Sequence, residues 1–116
     1  MAGAALLAAL IFPAACVHPE DSGVQVIVGA KLEPGAGRAP LEHSVVVIAG
    51  RKFQAVGPQA STPVPIGAKM TQGLGMILEP LPGGEPIEPG RAANLVLKSA
   101  DASTGQRIMR AGVWVE

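Results

Sequence analysis

The sequence predicts an all-β fold: a small β-sandwich or half-open barrel of short, mostly antiparallel strands, set behind an N-terminal apolar signal segment. Three observations carry the prediction. Apolar residues recur with a period of two in several short runs, the spacing of a half-buried strand. Fifteen glycines and eleven prolines break the chain too often for long helices and mark frequent turns. Beyond residue 17 there is no amphipathic helical repeat of useful length and no internal repeat.

Each element follows from its local chemistry. Ala4 to Phe12 is an unbroken apolar run, too short for a bilayer, which needs ~20 such residues, but of the length of a secretory h-region. Small residues Ala14 and Ala15 follow, and Pro13-Ala14-Ala15-Cys16 resembles a bacterial lipoprotein signal with Cys16 as the lipidation candidate. Residues 1–16 are therefore expected to be a signal peptide, 17–23 a polar tether, and 24–116 the β domain. Export would make the chain periplasmic, secreted or lipid-anchored. The other reading is an uncleaved apolar segment, which leaves it cytoplasmic.

In the β domain, Val24, Val26, Val28 and Ala30 alternate with Gln25, Ile27, Gly29 and Lys31 as a first strand. Leu32 to Pro40, rich in Gly and Pro, reads as a loop. Ser44 to Ala49 is apolar on both faces, which suits a central strand. Gly50-Arg51 predicts a tight hairpin turn into Lys52 to Gly57, with Gly50 supplying the positive φ that such turns require. Pro58, Pro63 and Pro65 make 58–67 extended irregular chain. Ala68 to Thr71 and Gly75 to Leu78 are two short strands with Gln72-Gly73 as a turn between them. In Glu85 to Lys98 two prolines keep the chain extended, Gly90 permits a tight turn, and Leu95, Val96 and Leu97 form a strand-type run. Strands over Ala93 to Ser99, Gln106 to Arg110 and Val113 to Glu116 close the chain, with Ala111-Gly112 as the last tight turn. Gly50, Gly90 and Gly112 are thus the structural turn residues.

Composition excludes several functions. Hydrophobic residues at 48% against 16% charged argue against disorder. Nine basic residues balance nine acidic ones and aromatics are only 3%, so neither a cationic footprint nor a stacking platform for nucleic acid is present. The single cysteine excludes an intramolecular disulfide and any Cys-based zinc cluster.

The order of several motifs carries a resemblance. Val26 to Leu32, the Val45 to Ile48 strand and Gly50 to Gly57 resemble the opening of metal-dependent amidohydrolases of the imidazolonepropionase and dihydroorotase kind. Pro63 to Lys69 and Gly75 to Pro80 continue the resemblance in the same order. In that family the last proline leads into a catalytic barrel through a His-x-His metal motif. Here Leu81-Pro82-Gly83-Gly84 follows, and Ile87 to Val96 then resembles the segment that leaves the barrel, with Asn94 where the family places Asp. Arg110 to Val115 is similar to the closing hairpin. The resemblance implies the composite β-sandwich domain that packs beside the barrel, with the barrel itself missing.

No constellation for catalysis accompanies it. A hydrolytic metal site needs several imidazoles and carboxylates to hold the ion and acidify its water. The chain holds two histidines, His18 in the tether and His43 before a strand, and no His-x-His. Asp21 and Asp101 border turns, and Glu85 and Glu88 sit among prolines, where exposed acids are the simpler account. Ser61-Thr62 and Ser103-Thr104 lack His-Asp partners, and Gly73-x-Gly75 lacks the helix and Lys of a phosphate loop. Trp114 is expected at the edge of the core, with Val113 and Val115 pointing the other way. No catalytic residue, metal ligand or cofactor is expected. The expected function is an exported, non-catalytic β domain in a structural or interaction role. The alternatives are a contributing part of a metal-dependent hydrolase of non-peptide C–N bonds, its barrel on another chain or lost from the gene model, and a module binding a small molecule or protein. Loss of a barrel should leave an apolar face for self-association or for a barrel-bearing partner, or polar replacements on that face.

Overall fold

A computed structural model of the chain describes residues 23–100 and 105–115. The proposed signal peptide with Cys16, the tether through residue 22, and Asp101, Ser103 and Thr104 lie outside the described residues. Among those described the fold is all-β, with nine strands and no helix. They are β1 (Val24–Val28), β2 (Lys31–Leu32), β3 (Ser44–Ala49), β4 (Lys52–Pro58), β5 (Lys69–Gln72), β6 (Met76–Glu79), β7 (Leu95–Ser99), β8 (Gln106–Arg110) and β9 (Val113–Val115).

Two mixed sheets form, in the orders β4-β3-β1-β5 and β2-β6-β7-β8-β9. The period-two pattern assigns their faces. Ile27, Val46, Ile48 and Phe53 of the first sheet meet Leu78, Leu95, Leu97 and Met109 of the second in one buried cluster. Val26, Val28, Val45 and Val47, one residue out of phase, form a separate buried cluster on the first sheet's other face. The double-sided burial of β3 suits its position between β1 and β4. Since β4 and β5 lie on opposite edges of that sheet, the proline-rich chain between them has to cross a face. Ala68 packs on the outer valines, so the crossing runs on that side.

The predicted strands are present, with two differences in how they are joined. Lys31 and Leu32, at the end of the first predicted strand and in the predicted loop, form a separate strand. β1 and β5 pair in parallel in the first sheet, and their continuations β2 and β6 pair in parallel in the second. The chain thus turns the same corner twice, side by side. Glycine makes this close approach possible: a Cβ on Gly73 would lie 2.9 Å from that of Ala30, and Gly29 takes a φ of +94°. The turn expected at Gln72-Gly73 is therefore a corner between the sheets, because β5 and β6 belong to different ones.

Candidate functional site

The segment that follows β6 is the part of the chain that ties the molecule together. Leu81-Pro82-Gly83-Gly84 is a β-turn: the Gly84 N–H donates to the Leu81 carbonyl at 2.8 Å and Gly83 has a φ of +73°. Proline at its second position and glycine at its third are the residues a type II turn demands. Both flanks are fastened to one dipeptide. The Glu33 N–H donates to the Leu78 carbonyl at 2.8 Å, and the Ile87 N–H donates to the Pro34 carbonyl at 3.0 Å.

Beyond the turn, the chain joins the two sheets. The Gly90 N–H donates to the Phe53 carbonyl, the Phe53 N–H to the Arg91 carbonyl, and the Ala93 N–H to the Arg51 carbonyl, so 90–93 lies along the start of β4. Gly90 has a φ of +90°. At the far end Asn94 Oδ1 accepts the Ala111 N–H at 2.8 Å, and the Gly112 N–H donates to the Ala93 carbonyl at 3.1 Å. Gln25 Nε2 reaches from β1 to the Gly112 carbonyl at 2.6 Å. The hairpin tips at Gly50-Arg51 and Ala111-Gly112 consequently touch, each with its glycine at positive φ. Asn94, in the position where the resemblance expects Asp, acts as an acceptor in this clasp, which needs no charge.

Charged side chains lie on the outside of the same segment. Glu88 is held between Arg38 Nη2 at 3.0 Å and Arg91 Nε at 3.4 Å, and Arg91 also reaches Glu85 at 3.5 Å. Glu85 and Glu88 thus serve in ion pairs with arginines. The contribution of Arg38 was not legible in sequence, because it enters from a distant Gly-rich loop. Beside this network lies a groove of about 300 Å³, floored by Leu32, Leu41, Val56 and Ile87, with Arg38 and Glu88 at its rim. A second groove, of about 250 Å³, is lined by Lys31, Glu42 and His43 together with Leu74 and Met76.

His43 directly precedes β3 in the left-handed region, φ +48°, with its carbonyl accepting the Gln59 N–H. Among the described residues no group of three or more His, Cys, Asp or Glu side chains could hold a metal ion. Trp114 packs against the edge of the main core, covered by the Arg107 guanidinium 4.0 Å from its ring, while Val113 and Val115 are exposed. Ser44, buried on β3, is satisfied: its Oγ donates to the Ala30 carbonyl at 2.8 Å.

Among the solved structures similar to part of the chain are the following three. Phenylurea hydrolase B is 35% identical, with a TM-score of 0.46, over 49% of this chain and 12% of its own. Molinate hydrolase is 24% identical at a TM-score of 0.46, again over 49% of this chain and 12% of that one. A protein described as a prolidase from Bifidobacterium longum is 25% identical at 0.45, over 49% and 14%. The similarity covers about half of this chain, and the chain spans only a small part of each enzyme. No family model and no curated protein sequence matches the chain.

Proposed function

We propose that the chain is a non-catalytic β domain related to the composite domain of amidohydrolases, acting outside the cytoplasm in a structural or interaction role. The observation that carries the reading is the β-turn at Leu81 to Gly84. It joins the strand that resembles the approach to a barrel directly to the segment that resembles the return from one. A chain with two histidines has few imidazoles from which to assemble a hydrolytic metal centre. The test is metal analysis of the purified chain together with assays on amide, urea and cyclic-amide substrates. Substoichiometric metal and no turnover are expected. Tightly bound stoichiometric zinc with hydrolysis would overturn the reading in favour of a hydrolase.

Export rests on the Ala4 to Phe12 run and the small residues after it. Mass spectrometry of the mature N-terminus decides it: a chain starting at lipid-modified Cys16 supports anchoring, and an intact Met1 defeats export. A second reading, a small-molecule binding module, is favoured by the apolar groove floored by Leu32 and Ile87 with a guanidinium at its rim. Nuclear magnetic resonance titration with hexanoate, a small apolar acid, tests it. Shifts confined to that groove support the module, and their absence counts against it.

A further inference from the structure

The two faces of the first sheet offer little to a partner, since Val26, Val45, Val46, Val47 and Ile48 are buried. Large apolar side chains emerge instead at two sheet edges, Val113 and Val115 on β9 and a larger group around β5. Ile66 is fully exposed (104%) and Met70 and Leu74 are 60% and 66% exposed, with Val64 at 37%. β5 lies at the end of its sheet, so its outer row of backbone N–H and C=O groups has no strand beside it among the described residues. β5 itself carries one large apolar residue, Met70, but an unpaired edge flanked by exposed apolar side chains is a template for strand addition.

We infer that a second copy of this chain adds antiparallel across the β5 edge, about a two-fold axis through Thr71. Three features of the strand fit it to itself. A two-fold perpendicular to the sheet keeps each face with its own kind, so a central residue must lie opposite its copy. Centred on Thr71, the register sets Met70 opposite Gln72 of the other copy within the strand Lys69–Gln72. The exposed Leu74, just past the corner, and the exposed Ile66 turn of the other copy flank the same end of the paired strands, twice over. Met70 is paired with Val26, so it lies on the outer face, where the two Met70 side chains meet on the diagonal, roughly 7–8 Å apart.

The same register deals with the one charge on the strand. The two Lys69 side chains lie four positions apart, about 13 Å along the strand, beyond the ~8 Å screening length of physiological salt. A register centred on Met70 would bring them onto the diagonal and is disfavoured. Val64, Ile66, Met70 and Leu74 leave on the order of 350 Å² of apolar side chain in water per copy, so closure covers about 700 Å² before backbone and rim are included, near the roughly 1,000 Å² floor of a specific interface. The dimer is accordingly weak and concentration-dependent. β9 is the less suitable edge: it has three residues and its inward side chain, Trp114, is already covered by Arg107.

The interaction role proposed above gains a named partner here, but metal and hydrolase assays do not bear on it, so the two readings fail separately. Sedimentation equilibrium of the full chain is expected to show a monomer–dimer equilibrium. Met70→Lys and Met70→Glu, each alone, remove two covered methionines and oppose like charges, weakening association by roughly thirtyfold or more. An equimolar mixture of the two variants is expected to restore the dimer, because only an isologous contact sets Lys against Glu across the axis. Circular dichroism checks that both variants fold, which the exposure of Met70 favours. A wild-type monomer at all concentrations, variants that still associate, or a mixture that stays monomeric would each overturn the proposal. Association through the apolar N-terminal run would respond to none of these changes.

Discussion

Replacing Gly112 by alanine isolates the contact between the two hairpin tips. A methyl group there would overlap the Gly50 carbonyl oxygen, with the Gly50 carbonyl carbon at 3.1 Å and Arg51 Cα at 3.4 Å. These are backbone atoms, so one tip has to move by about an ångström or more to reach ordinary contact. The movement strains the Gln25 to Gly112 bond, the Gly112 to Ala93 bond and the Ala111 to Asn94 bond together. At ~0.5–1.5 kcal/mol each, these losses add to the ~1–2 kcal/mol that an L-residue costs in the left-handed region. The expected loss is about 3–5 kcal/mol. Gly50→Ala is the control: its φ of +63° imposes a similar conformational cost, but among the described residues nothing lies within 4 Å of the added methyl. About 0.5–1.5 kcal/mol is expected there, after allowing for the entropy that alanine removes from the unfolded chain. Urea denaturation followed by far-ultraviolet circular dichroism reads the total. Fluorescence of Trp114, the one tryptophan and close to the hairpin tip, reports locally. For a domain of 60–100 residues the difference between the two variants amounts to roughly 10–25 °C in Tm. Equal destabilisation by both would refute the idea that the tips are held in contact.

Three further outcomes are expected. Asn94→Asp should lie within about 1 kcal/mol of wild type, because an acceptor for the Ala111 N–H survives, whereas Asn94→Leu should cost ~1–3 kcal/mol in chemical denaturation. Ala111→Asn should raise Tm, by about 0.5–1 kcal/mol of stability, since Ala111 has a φ of +49° in a turn with both central residues positive, where Asn-Gly is preferred. Ile27→Ala, at 1% exposure in the main core, should lose ~2–5 kcal/mol in urea melts, while Met70→Ala should change monomer stability by no more than ~0.5 kcal/mol.

Strands were legible wherever one face is buried, because the period-two pattern is a direct record of that burial. Val24 to Val28 shows it, its valines and Ile27 going to different clusters. The continuation at Lys31-Leu32 was harder to read, since two residues carry no period and the Gly and Pro around them look like loop. Which strands pair is also not local information. β5 and β6 sit close in sequence yet join different sheets, and only the small size of Gly73 against Ala30 hints at the corner. At the candidate site, Leu81 to Gly84 stood out in the sequence as a short link between two recognisable segments, and its Pro and Gly fit the β-turn that the structure shows. Arg38 beside Glu88 was not, because fifty positions of chain separate two residues that only the fold brings within 3.0 Å. Asn94 was noticed as a departure from Asp, and its partner depended on where the last hairpin docks.

The fastening of Leu78 and Ile87 to Glu33 and Pro34 has a consequence for what the molecule can host. The two shoulders of the turn are positioned by bonds that the turn itself does not make, so the gap between them is fixed whatever spans it. Closing a flexible loop grows costlier only logarithmically, by about 0.6 kcal/mol for each doubling of its length. A folded insert with neighbouring termini adds less. Residues 81–84 are therefore a permissive port: a reporter or an enzyme could be spliced in there while the surrounding strands keep their register.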